Sequence, residues 1–160
     1  MVVDGKEGKE YEDIGPPVFS PDGKHLAYAA VRGGSNLIVV DGVEGATCDQ
    51  VGGGTLVFSP DGKRFAYGAR TGAKWSVVVD GKSQGSYDKL GAATFHVTPD
   101  GKRLVYAAHS SGKWFIAVDG KEGRPCDGIL GTNIFLDGAE GLHYIAVKGK
   151  GIYAVEEKME

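Results

Sequence analysis

The chain has 160 residues, 41% of them apolar and 24% charged, with 27 glycines, two cysteines and a formal net charge of −3 at a pI near 5.8. That length suits one domain, which buries roughly 70% of its unfolded surface and needs no staples. The mild acidity excludes an overall field that draws nucleic acid or acidic membranes. No apolar run approaches the ~18 residues of a membrane helix.

From the start, Val2-Val3-Asp4-Gly5 reads as a strand end turned back by Asp-Gly, and residues 6–14 read as the strand that follows. This charged opening has no apolar h-region, so no export leader is expected and the compartment is left open. Next comes FSPDGKHLAY at 19–28, then FSPDGKRFAY at 58–67 and VTPDGKRLVY at 97–106. The Pro-Asp-Gly triplets begin at Pro21, Pro60 and Pro99, 39 apart, and Tyr28, Tyr67 and Tyr106 keep that interval before Tyr144 follows after 38. Val-Asp-Gly recurs at Val3, Val40, Val79 and Val118, and Trp75 and Trp114 are again 39 apart. One unit is used about four times.

The unit from Thr55 to Leu90 shows its plan. Leu56–Ser59 is a short apolar strand stopped by Pro-Asp-Gly, and Arg64–Ala69 is a second strand. Trp75–Val79, β-branched and aromatic, is a third, and Ser86–Leu90 is a more polar fourth. First strands are expected at Val18, Leu56, Phe95 and Ile134. No segment carries apolar residues at i, i+3, i+4 and i+7 over a dozen residues, and nine Asp-Gly pairs break every helical candidate. Val77, Val78 and Val79 are consecutive, so both faces of that strand must be covered, each sheet standing between neighbours. In the last unit Phe135-Leu-Asp-Gly138 lacks the Ser-Pro, and no fourth strand follows Gly151–Val155.

Four-stranded antiparallel sheets repeating every ~40 residues describe a β-propeller. FSPDGKRFAY and VTPDGKRLVY resemble the Pro-Asp-Gly-Lys repeat of TolB-type, WD-repeat-like propellers, over nearly the whole chain. The resemblance implies an all-β fold of four four-stranded blades in a single domain, residues 1–160. It also implies a non-enzymatic protein- or ligand-interaction scaffold, in a family often periplasmic or extracellular. Two alternatives stand beside it: an engineered or excised stretch of repeat with no function beyond folding and self-assembly, and a carbohydrate- or anion-active enzyme of the oligogalacturonate-lyase type.

Catalytic motifs are absent: no Gly-x-Ser-x-Gly, no His-Glu-x-x-His, no phosphate loop and no calcium loop. No cofactor or metal is expected. Cys48 and Cys126 occupy equivalent positions two units apart, beyond disulfide reach, and read as apolar packing. Glu12, Asp49, Asp88 and Asp127 recur once per unit and read as one repeated structural hydrogen bond rather than a metal ring. His96 stands where Val18, Val57 and Ile134 stand in the other first strands.

Two expectations concern partners. Exposed sheet edges are a liability that ring closure removes; four sheets closing alone would splay at right angles. Two chains giving eight blades, with residues 6–14 of one completing the last blade of the other, close the ring better. The second expectation is a binding rim. The loops between second and third strands carry Arg32, Arg70 with Lys74, His109 with Lys113, and Lys148 with Lys150, and no acid. Arg32, Arg70, His109 and Lys148 are therefore the candidate contacts for an acidic peptide or oligosaccharide.

Overall fold

The computed structural model describes residues 2–3, 6–131 and 134–159, and among them every regular element is a β-strand. Four sheets are each built on a long antiparallel hairpin of a second and a third strand. These are Leu26–Arg32 with Ser35–Val40 in sheet I, and Phe65–Thr71 with Lys74–Val79 in sheet II. Leu104–Ser110 with Lys113–Val118 builds sheet III, and Gly141–Lys148 with Gly151–Lys158 builds sheet IV. The inner edge of every second strand is lined by two short strands. In sheet II these are Gln50–Val51 and Val57–Phe58; in sheet III, Lys89–Leu90 and His96–Val97. Outer strands Val43–Glu44, Lys82–Tyr87 and Lys121–Glu122 complete sheets I to III. Ahead of sheet I, Val2–Val3 pairs with Lys6–Glu7; the Asp-Gly turn expected between them lies outside the described residues.

The expected fourth strand over 86–90 is in fact a crossover. Lys82–Tyr87 pairs with the third strand of its own sheet, whereas Lys89–Leu90 pairs with the second strand of sheet III. The switch falls at Asp88, whose N–H donates to His109 O at 2.8 Å. First strands begin one residue later than expected in sheets II to IV, at Val57, His96 and Phe135. In sheets II and III a threonine explains the delay. Thr55 Oγ1 donates to Gly52 O (2.7 Å) and accepts from Gly68 N (2.9 Å); Thr94 does the same with Gly91 O and Ala107 N. The closed turn holds Leu56 and Phe95 out of the ladder and turns them to packing.

Two turn devices repeat with the sequence. In the Val-Asp-Gly hairpins both turn residues have positive φ, 50° and 81° at Asp41-Gly42, 49° and 80° at Asp80-Gly81, and 50° and 84° at Asp119-Gly120. That is the two-residue turn matching the right-handed twist of paired strands. The aspartate also accepts the N–H that opens the second strand, Leu26, Phe65 or Leu104, each at 2.9 Å. Sheet IV has Glu157-Lys158 at the equivalent place, and there the third strand runs straight on to Lys158. In the Pro-Asp-Gly turns, Ser20, Ser59 and Thr98 donate to Asp22, Asp61 and Asp100 at 2.6 Å. The same hydroxyls accept from the N–H of residues 25, 64 and 103. This hydroxyl donor, aided by the Lys24 N–H, holds the Asp22 carboxyl down at about 2.

Packing runs from sheet to sheet through one repeated tyrosine. Tyr67 meets Ile38 and Cys48 of sheet I; Tyr106 meets Tyr87, whose ring lies edge-on at 5.9 Å; Tyr144 meets Cys126 and Ile116 of sheet III. Tyr28 has Tyr11 in the same relation, edge-on at 6.1 Å. Both cysteines are free and buried, and burial pushes their thiols up, so they are inert packing groups. Tyrosine-facing side chains thus bury against the preceding sheet and the alternate residues against the following one, which accounts for the consecutive apolar runs.

Candidate functional site

At the end of the sheets opposite the Asp-Gly turns, four hairpins join second to third strands. Each is pinned by a carboxylate from the segment that enters its sheet. Glu12 accepts from Gly33 N at 2.6 Å, Asp49 from Gly72 N at 2.7 Å, Asp88 from Ser111 N at 3.1 Å and Asp127 from Gly149 N at 2.7 Å. The recurring carboxylates therefore make one structural hydrogen bond per unit. Lys74 bonds the other oxygen of Asp88, and Lys113 that of Asp127. Those lysines, with the turn N–H donors, hold both carboxyls below the usual range. Among the described residues no three His, Cys, Asp or Glu side chains gather as metal ligands would.

The four candidate contacts do not form one cluster. Arg70 and His109 hold the same register position, opposite Trp75 and Trp114 on the third strand and opposite Gln50 and Lys89 on the inner side. Their neighbours in sheets I and IV at that position are Val31 and Val147. Arg32 and Lys148 belong to the next position along, which points to the other face of the sheet. Arg32 turns away to Glu44, 2.6 Å from its Oε1, an oxygen that also accepts from Tyr11 at 3.1 Å. Lys148 is exposed and adds positive charge beside Asp127.

Arg70 and His109 are the better-built pair. The His109 ring packs edge-on against Trp114 at 5.3 Å, with Nδ1 3.8 Å from Asp88. Arg70 Nε and His109 Nδ1 are buried without a hydrogen-bond partner. The two tryptophans recur at 39 residues in the sequence, but only the register sets them opposite Arg70 and His109. His96 pairs with Val105 on the inner edge, and its counterpart in sheet IV is Phe135, which pairs with His143, rather than Ile134. The shortened Asp137–Gly141 turn moves the register by one.

No protein-family model matches the chain, and no curated protein sequence does. Solved structures do. The β-propeller domain of the Trilobed protease from Pyrococcus furiosus, reported with an open velcro topology, matches with a TM-score of 0.61 at 14% identity, over 94% of this chain and 58% of that one. TolB from Acinetobacter baumannii matches with a TM-score of 0.53 at 17% identity, over 91% of this chain and 43% of that one. A eukaryotic initiation factor matches with a TM-score of 0.53 at 18% identity, over 96% and 42%. The chain thus spans 42% to 58% of the length of these neighbours. The fold is that of a β-propeller. At these identities the likeness carries the fold alone.

Proposed function

We propose that the protein is a non-enzymatic interaction scaffold of the TolB-like kind, and that it takes an acidic ligand on the hairpin rim, at the seams that follow sheets II and III. The observation that carries this reading is the repeated placement of Arg70 and His109. Each stands across from a tryptophan on a hairpin pinned by a carboxylate, so two nitrogen-bearing side chains with a tryptophan opposite face the same way on adjacent sheets. A rigid frame with varied side chains at a fixed position is the arrangement by which loops on a scaffold recognise a partner. The acids nearest these groups, Asp49 and Asp88, are already engaged by Gly72 and Ser111. A ligand carboxylate would take charge-assisted hydrogen bonds from the Nη groups of the Arg70 guanidinium.

The test is calorimetric titration with a poly-glutamate peptide and, separately, an acidic oligosaccharide such as an oligogalacturonate. Arg70→Glu combined with His109→Glu is expected to weaken binding about a hundredfold, two steps of ~1.4 kcal/mol. Far-ultraviolet dichroism should show the double variant folded. Binding that survives the double change removes this rim from consideration, and turnover of the oligosaccharide would replace the scaffold reading with an enzymatic one.

A further inference from the structure

The two ends of the stack are unlike its interior, and they are unlike in complementary ways. At each internal junction the segment leaving a sheet does three things. Its residue 48, 87 or 126 pairs with the third strand of the sheet it leaves, as Asn36–Cys48, Trp75–Tyr87 and Trp114–Cys126. The same residue packs on the tyrosine of the next sheet, and the acid after it caps the next hairpin. Ahead of sheet I, Tyr11 packs on Tyr28 and Glu12 caps Gly33, so the second and third tasks are done. The first is not: among the described residues Tyr11 has no third strand beside it.

Sheet IV shows the reverse. Its third strand, Gly151–Lys158, is the sheet's edge, with no outer strand beyond it among the described residues. Ile152 pairs with Val147 just as Trp114 pairs with His109, so it occupies the position that Cys126 would meet in sheet III. It is 68% exposed. The face that interior sheets bury against their successor is open in sheet IV. Phe135 is 63% exposed and Ile145 37%, around a depression of about 220 Å³ that His143 and Ala154 also line. At the other end Phe19 of sheet I is 63% exposed, whereas its counterpart Phe58 stacks on His25 of the sheet before it.

We infer that a second copy of this chain supplies the missing junction: residues 7–11 of each protomer add to the Ile152–Val155 edge of the other, with Tyr11 paired to Ile152, and the free face of sheet IV seats against sheet I. Each copy carries both halves of the junction, so two copies satisfy one another and the contact closes about a twofold axis. The exchange adds backbone hydrogen bonds to an open edge and covers aliphatic and aromatic surface that monomers leave wet. In that register Val2–Val3, which pairs with Lys6–Glu7, takes the place of Val155–Glu156, so the short hairpin opens as the joint forms.

Light scattering of the full chain at high micromolar concentration tests this. The expected mass is twice the 16.8 kDa of one chain. Ile152→Pro removes the edge N–H without touching the ladder to Val147, and Ile145→Glu charges the open face; both sites are exposed, so far-ultraviolet dichroism should be unchanged. Both variants should give the mass of one chain. A wild-type mass of one chain, a ladder of higher masses, or variants that still pair would each overturn the proposal.

Discussion

Replacing Tyr106 by alanine should destabilise the protein by about 4 kcal/mol, the usual range for removing a fully buried aromatic ring being ~3–5 kcal/mol. Tyr106 is wholly buried at the junction of sheets II and III. Its ring stacks on Phe95 at 5.2 Å and stands edge-on to Tyr87, and its hydroxyl shares a 2.8 Å hydrogen bond with that of Tyr87. Burial and this bond push the Tyr106 hydroxyl far above its ordinary range, so it stays neutral at any working pH. Tyr106→Phe keeps the ring and strands the Tyr87 hydroxyl, which costs about 1–3 kcal/mol. Adding Tyr87→Phe should recover part of that loss, because neither partner is then left unpaired. Urea unfolding of the three variants reads the order directly; a double variant weaker than Tyr106→Phe by the full single cost would show the two hydroxyls to be independent.

Asp119→Ala is expected to cost about 2–4 kcal/mol, with Asp119→Asn well under half of that. The side chain accepts from Leu104 N, an amide at the start of a buried strand, and an amide left without its acceptor costs ~1–3 kcal/mol. Alanine must also adopt φ 50°, a region that costs an L-residue ~1–2 kcal/mol and that Asn and Asp tolerate better. At 160 residues the alanine variant should melt roughly 5–15 °C lower, at ~2–4 °C per kcal/mol. Equal melting of the alanine and asparagine variants would remove the turn from the account.

Much of this was legible in the sequence, because the repeat writes its turns in the same residues as its strands. Asp-Gly with positive φ at both positions, the Ser-Pro-Asp-Gly relay and the carboxylate once per unit are local devices, and local spacing reveals them. What was not legible depends on register. Arg32 and Arg70 are 38 residues apart where the unit is 39. With side chains alternating across a strand, that one residue sends them to opposite faces. The same offset puts Lys148 with Arg32 and sets Phe135, rather than Ile134, opposite His143. Residues 86–90 read as one strand because nothing local marks Asp88 as the point where the chain changes sheets; the partner His109 O lies 21 positions on. The long third strand of sheet IV, by contrast, follows from losing Asp-Gly at Glu157-Lys158.

One carboxylate per unit ties each sheet's hairpin to the segment entering it. Following the amide protons of Ser111 and Gly149 by NMR during an acid titration tests it most directly. Because Asp88 and Asp127 are held below 3.8 in the folded protein, their bonds are intact above the ordinary carboxylate pKa and are lost as pH falls through the lowered folded values. Both amides should therefore move together with a midpoint below 3.8, and added calcium should leave them still. A midpoint at or above the ordinary carboxylate range, or a shift on adding calcium, would contradict it.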